Sequence, residues 1–451
     1  MHPRLHMVSI VPSKPARISG HPKGLYLLFT TEMWERMSYY GMRALLTLYM
    51  VAATDRGGFG WERSTALKIY GTYTALVYLT PVAGGWLADN VLGQRRAVVA
   101  GGVIMMTGHF LMAVPGQVAF FAALSCLVIG NGLFKPNIST MVGGLYERGD
   151  GRRDGAFTIF YMGINLGAFL SPLVCGTLGE KLGWHVGFAS AGVGMGLGLL
   201  TFLAFHKKFL GDVGLAPKAK PLQIVGAANP PDALSPVDRD RVGVILTLTF
   251  FNIFFWAAFE QAGGLMNLYT DEKVNRVVGT FTIPTTWFQS LNPLFILLLA
   301  PLFSQLWVKL GEMKRDPSTP VKMGLGLVFL ASGFVLMMGA AKVTAGGTKA
   351  AMGWIVGAYF LQTVGELCLA PVGLAMISRL APARLTSLMM GVWFLSSFVA
   401  NYLAGLIGGA AEKLGEFQLF GAIVAATTFA GLVLWGLSGA IRARMHESAT
   451  A

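Results

Sequence analysis

Long apolar stretches make up most of the chain, and short polar ones separate them. A run of about 20 mainly apolar residues crosses a bilayer as a helix. About twelve such runs can be marked along the chain: 24–53, 64–88, 96–115, 117–145, 155–179, 184–205, 242–269, 280–308, 321–343, 351–379, 385–411 and 416–441. Several exceed one crossing, which predicts tilt or extension beyond the lipid. The longest polar interruption, "HKKFLGDVGLAPKAKPLQIVGAANPPDALSPVDRDR", runs from His206 to Arg241 and divides the runs six and six. Its Pro, Ala and Gly content reads as a linker, flexible in part. The expected organisation is an all-α membrane protein: a tail over 1–23, a six-helix bundle over 24–205, a linker over 206–241, a second six-helix bundle over 242–441 and a tail over 442–451.

Composition supports this. Hydrophobic residues are 54% of the 451 and charged residues 13%, where a soluble globular chain has about 25% charged. That is too little charge to coat a water-facing surface of this size. The 58 glycines suit close helix packing in lipid, and the 22 methionines suit irregular gaps. The formal charge of +13 raises the question of nucleic acid. The positive residues fall mostly in short loops between apolar runs, however, where they set orientation instead. One set of loops holds Arg4, Lys14, Arg17, Lys23, Arg95, Arg96, Arg148, Arg152, Arg153, the basic residues of the linker, Lys314, Arg315, Lys322, Arg379, Arg384, Arg442 and Arg444. That side carries roughly twenty-three basic residues against about eight on the other, so it is cytoplasmic by the positive-inside rule. Both termini then lie inside, which requires an even number of spans. The first 24 residues contain basic residues but no continuous apolar core of a cleavable leader. Cys126, Cys175 and Cys368 are scattered within apolar runs, so packing is expected of them, with no disulfide and no metal site.

The polar residues inside the spans carry the chemistry. The first span contains "TTEMWERMSYYGMRALLTLY", with Glu32, Glu35, Arg36 and Arg43. One charge at the centre of a lone spanning helix costs roughly 2.5–3.5 kcal/mol on insertion scales. At about 100° per residue, Arg36 falls near 40° from Glu32, Glu35 near 300°, Tyr39 near 340° and Arg43 near 20°, with Tyr40 at the edge. The charges thus share one face, where Glu32–Arg36 and Glu35–Tyr39 are i,i+4 neighbours. A buried structural ion-pair cluster is the alternative. Such clusters stabilise less than apolar packing, which favours a functional wall. Lys135 in "VIGNGLFKPNISTMVGG" must face a cavity or a partner, near Asn131 and Asn137, and Pro136 frees a backbone carbonyl there. Asn165, Glu260, Asn292 and Glu366 are further isolated polar groups in spans. Glu366 has no basic residue within a turn and is a candidate proton carrier. The lone asparagines serve ligand contact or helix–helix adhesion equally well. Cations (Arg36, Arg43, Lys135) and the tyrosines Tyr39, Tyr40, Tyr78 and Tyr161 therefore collect in the first half, and the carboxylates Glu260 and Glu366 in the second. A zwitterion with a carboxylate at one end and an ammonium at the other fits between them. The loop "GGWLADNVLGQRRA", from Gly84 to Ala97, places Asp89 within reach of Arg95 or Arg96. A gating pair that caps a helix end, or an ordinary polar turn, would each use that spacing.

At these residues the chain resembles the proton-dependent oligopeptide transporters (POT/PTR), a family of the major facilitator superfamily. "EMWERMSYYG" resembles the family's ExxERFxYYG signature, with Met37 in place of Phe. "FYMGINLGAFLSP" resembles FYxxINxGSLxxP, with Ala168 in place of Ser. "FWAAFEQAGG", "QSLNPLFI", "GELCLAPVGL" and "GVWFLSSFVANYLAG" are similar to further family segments, in order along nearly the whole chain. The loop at Asp89 resembles the superfamily's loop between its second and third helices. The resemblance implies two six-helix bundles and proton-coupled import of di- and tripeptides by alternating access, with protons in place of a cofactor. The working unit it implies is a monomer in the lipid bilayer. It implies that Arg36 and Lys135, helped by Tyr40, hold the peptide carboxylate, and that Glu366 with Asn165 and Asn292 holds the ammonium. Tyr39, Tyr78 and Tyr161 line the site and Trp393 shapes a side-chain pocket. Arg43 pairs with Glu260 in an outer gate, and Glu32, Glu35, Glu260 and Glu366 take part in proton coupling. Peptide binding then competes with ion pairs such as Lys135 with Glu366, or Arg36 with the nearby glutamates. Two features depart from relatives. Mammalian members have a histidine where "IYGTYTALVYLTP" has Gly71. Many bacterial relatives insert two helices between the bundles, for which this linker is too short and too polar. A transporter of nitrate, a drug or a modified peptide remains an alternative on the same scaffold. A receptor or membrane enzyme is disfavoured, because the chain has no HExxH, GxSxG or P-loop.

Overall fold

Each apolar run folds into a helix because lipid offers no partner to backbone N–H and C=O groups. The computed structural model describes residues 20–147, 149–217, 234–382 and 384–446. The basic residues Arg4, Lys14, Arg17 and Arg148, and the linker lysines Lys218 and Lys220, lie outside the described residues. The long helices are α1 (Lys23–Val51), α2 (Arg63–Leu87), α3 (Gln94–Met112), α4 (Gln117–Gly144), α5 (Arg152–Leu182), α6 (Trp184–Phe209), α7 (Pro236–Lys273), α8 (Thr285–Glu312), α9 (Thr319–Thr344), α10 (Met352–Leu380), α11 (Thr386–Gly409) and α12 (Glu416–Met445). Among the described residues, nine helices are long and apolar enough to cross a membrane, α4 onward. The first three fall short of that mark, and α1 holds five charged residues, Lys23 at its start and four within its length. Hydroxyls inside the helices fold back on their own backbone: Thr31 donates to the Leu27 carbonyl at 2.8 Å and Thr74 to that of Tyr70 at 2.9 Å. In this way serine and threonine enter lipid at little cost.

Several element boundaries correct the sequence reading, among them the end of α12, which runs to Met445 and not 441. The linker is shorter than 206–241, because α6 runs on to Phe209 and α7 already begins at Pro236. Ser235 caps α7 by accepting from the Asp238 N–H at 3.0 Å, and proline suits the first helical position. α8 begins at Thr285, later than 280, because the preceding residues pair as strands. Val277–Val278 turns back on Phe281–Thr282, and Val274–Asn275 pairs with Ala350–Ala351.

Two separate apolar cores result. One is built from α1–α6 residues such as Leu25, Met42, Phe134 and Phe188, the other from α7–α12 residues such as Phe255, Phe334, Leu369 and Phe420. The bundles meet chiefly through α2 on α11 and α5 on α8. The first contact is backbone on backbone: a Cβ added at Gly71 would lie 2.5 Å from the Cα of Gly405. Other bonds between the bundles gather at the end remote from the termini. Arg63 pairs with Glu272 at 3.3 Å and Glu416 at 3.2 Å, and Ser290 donates to the Phe169 carbonyl at 2.8 Å. Asn267 donates to the Ala44 carbonyl at 2.9 Å and to the Thr47 hydroxyl at 3.1 Å. Two helices lose regularity at this level: α5 contains a π-helical turn at Pro172–Gly176, and α7 a 3-10 turn at Glu260–Ala262. Such irregular turns recur at functional sites.

Candidate functional site

The charged face of α1 is buried within the protein, with Glu32, Glu35 and Arg36 each at most 1% exposed. The i,i+4 spacing brings Arg36 Nε to 3.3 Å from Glu32 Oε1. The stronger contact is with the adjacent residue: Arg36 donates through Nε and Nη2 to both carboxylate oxygens of Glu35, the second bond at 2.7 Å. This two-pronged fit is the geometry guanidinium and carboxylate favour. Glu35 also accepts from Asn131 Nδ2 of α4 at 3.4 Å. The expected Glu35–Tyr39 partnership is therefore replaced by Glu35–Arg36, because the long arginine side chain folds back alongside its neighbour. Among the described residues, neither carboxylate oxygen of Glu32 accepts a hydrogen bond. The two glutamates of one motif thus occupy different electrostatic situations.

Aromatic rings line this cationic wall. The Arg36 guanidinium lies 5.1 Å from the Tyr39 ring centre and 5.9 Å from that of Tyr40, which is also 5.9 Å from Arg43. Lys135 Nζ lies 5.2 Å from the centre of the Tyr78 ring. Face-on cations of this kind gain from the ring quadrupole. Tyr161 is exposed on α5, and Asn165 one turn on donates to the Tyr161 carbonyl at 3.0 Å.

The polar cluster of the second bundle belongs to α8 and α10. Glu366 accepts from Asn292 Nδ2 at 2.8 Å, and the same amide donates to Thr363 Oγ1 at 3.1 Å. Among the described residues no ion pair joins Lys135 to Glu366, against expectation. Glu366 is instead satisfied by a neutral amide of its own bundle, which leaves both the lysine and the carboxylate unneutralised by each other. Trp393 is buried at 4% exposure, its ring packed on α10 at Gly373.

Beside the site an ion pair does cross between the bundles. Arg43 donates to Glu260, and through Nε to the Tyr70 hydroxyl. Glu260 opens the 3-10 turn of α7, and the backbone just beyond is held by Thr47, which donates to the Gly263 carbonyl at 3.3 Å. Asp89 lies in the π-helical turn Ala88–Leu92 that follows α2. The described hydrogen bonds of Arg95 go to the carbonyls of Val213, at 2.7 Å, and Gly211, so this arginine fastens the start of α3 to the segment after α6.

Sequence reasoning passed over Tyr70 and Thr363 and took Asn131 only as a neighbour of Lys135. Thr363 had a usable signal, since it lies three residues before Glu366 on the same helix face. Tyr70 had none, because its partner Arg43 lies on another helix.

Comparison with known proteins decides the family. The PTR2 profile, describing the POT family, matches residues 95–230 and 231–421. The chain belongs to the POT family. Its relatives include an uncharacterized transporter, YclF, of Bacillus subtilis, 38% identical over 97% of this chain and 98% of that protein. The peptide transporter YePEPT of Yersinia enterocolitica is 40% identical over 86% of this chain and 88% of its own length. The di-/tripeptide transporter of Lactococcus lactis is 34% identical over 89% and 92%. Among solved structures, a peptide transporter POT in complex with sulfate superposes with a TM-score of 0.88 at 39% identity, over 95% of this chain and 97% of that one. A POT family transporter in complex with 5-aminolevulinic acid gives 0.87 at 31%, over 94% and 98%. The POT-family chain therefore has the major facilitator fold, and its relatives are transporters and not enzymes.

Proposed function

We propose that this peptide transporter of the POT family is a proton-coupled importer of di- and tripeptides. It would work as a monomer in a bacterial inner membrane, with twelve spans and both termini cytoplasmic. The observation that carries this reading is the division of charge. Arg36 and Lys135 belong to one bundle and Glu366 to the other, where Glu366 is bonded to a neutral amide in place of a cation. A peptide's carboxylate would take the first wall and its ammonium the second, so substrate would draw the bundles together. Tyr39, Tyr40, Tyr78 and Tyr161 would line the space between, with Asn165 and Asn292 beside the ammonium, and Trp393 would bound a side-chain pocket from behind.

Protonation of Glu260 would release Arg43 and loosen the outer gate. Within the α1 motif, Glu32 is the better proton acceptor, because Glu35 is already committed to Arg36. The relatives named for di- and tripeptides support the substrate class. Uptake of labelled dialanine into proteoliposomes under an imposed inward proton gradient tests transport, substrate and coupling together. Uptake should rise with the gradient and be competed by free dipeptides but not by nitrate. Competition by nitrate, or indifference to the gradient, overturns the proposal. Lys135→Ala should lower proton-driven uptake about 10- to 100-fold, the scale of one lost charge-assisted contact. Full uptake by that variant removes lysine from the coupling scheme.

A further inference from the structure

The contact of α5 with α8 is built on a different principle from the Arg43–Glu260 pair. α8 opens with a 3-10 turn at Thr285–Ser290, and the residue before it, Pro284, makes no side-chain cap. The first N–H groups of any helix lack partners within the helix. Here the other bundle supplies them. Glu180, near the end of α5, accepts from the Thr285 N–H at 2.8 Å, the Thr286 N–H at 2.9 Å and the Thr286 hydroxyl at 2.7 Å.

The surroundings are shaped for this contact. Gly176 ends the π-helical turn of α5, and a Cβ there would lie 2.0 Å from the Thr286 hydroxyl oxygen. The missing side chain is what lets Thr286 seat beneath Glu180. Trp287 Nε1 donates to Thr177 Oγ1 at 2.7 Å. Gly176, Thr177 and Glu180 thus receive Thr286, Trp287 and the start of α8 as one surface. Arg276 stands 3.9 Å from the Glu180 carboxylate and pairs more closely with Asp271, at 2.8 Å. Lys181 is turned to the Thr282 carbonyl at 3.3 Å.

We infer that Glu180 is a gating residue, a helix cap supplied by one bundle to the other that holds the outer mouth closed. Each opening of that mouth withdraws the carboxylate, and α8 has no cap of its own to replace it. The three bonds are directional and share one acceptor group, so a small separation breaks them together. This makes the α5–α8 contact a discrete latch and not a graded attraction. The inference rests on the alternating-access part of the proposed function. It does not depend on which substrate is carried.

The test uses the full chain in proteoliposomes with the three native cysteines replaced and spin labels at Asp55→Cys and Lys349→Cys. Distances between the labels report the outer mouth without peptide or proton gradient. Glu180→Ala should raise the ratio of the long to the short distance about tenfold over the parent, the scale of one lost charged cap. Glu180→Gln should fall between, because its amide oxygen still accepts. Gly176→Ala, which displaces Thr286, should shift the ratio in the same direction. If Glu180→Ala is too poorly folded to measure, the glutamine and Gly176 variants decide. Unchanged distance distributions in the measurable variants overturn the latch. A chain that carried no dipeptide but showed the shift would refute the substrate and leave the latch standing.

Discussion

α1 and α8 are opposites in composition and in placement. α1 carries five charged residues and misses the composition of a membrane span, yet most of its residues are buried, including Glu32, Glu35 and Arg36. α8 has a strongly apolar sequence, yet only 6% of its most apolar window is buried in the protein. Leu298, Leu302 and Val308 are all about 60% exposed. Hydropathy therefore measures which surface meets lipid, not which helix matters to the fold. In water the apolar helix would be the buried one. In a bilayer, lipid takes apolar surface as readily as protein does, and the polar helix is the one that needs protein around it.

The contrast can be tested by substitution on each helix. The largest loss of stability is expected from Glu35→Ala, which leaves the Arg36 guanidinium buried with Glu32 alone, at a cost of about 3–5 kcal/mol. A thermal or denaturant midpoint in detergent close to the parent's would show that the Glu35–Arg36 contact contributes little. Leu45→Ala comes next. Leu45 is fully buried, its side chain set against Gly179 and Gly187. Its truncation should cost about 2–4 kcal/mol through the cavity left behind.

Glu32→Gln should cost less than either, about 1–2 kcal/mol, because the 3.3 Å ion pair with Arg36 is lost while the two-pronged Glu35 contact stays. Its main effect should appear in transport, with gradient-driven uptake lost and peptide exchange retained. Equal loss of both would return the two glutamates to one shared role. Leu302→Ala on α8 should have the smallest effect of all, under about 0.5 kcal/mol, since lipid replaces the lost contact. A loss as large as that of Leu45→Ala would mean that the bare face of α8 has a protein partner.

The helices were legible in the sequence because lipid imposes a minimum apolar length on each one. The Arg43–Glu260 pair was reached through the family resemblance, since nothing in the spacing joins residues on separate bundles. The shorter linker and later start of α8 were hidden, because a Ser–Pro cap and two-residue strand pairings are weak signals beside apolar runs. The separation of Glu32 from Glu35 was hidden for another reason. Helical spacing places both near Arg36, and only the path of the arginine side chain decides which one it holds. Glu180 reads as an ordinary end-of-helix acid, and its role emerges only when Pro284 is found without a cap of its own.

The bare crossing of α2 over α11 bears on how pH sensing is inherited. The family resemblance implies a histidine in mammalian members at the position of Gly71, and here Gly405 stands where such a side chain would begin. A histidine at 71 alone would act as a wedge that drives α2 from α11. Grafting that sensor into this chain would therefore need a second, compensating change around Gly405.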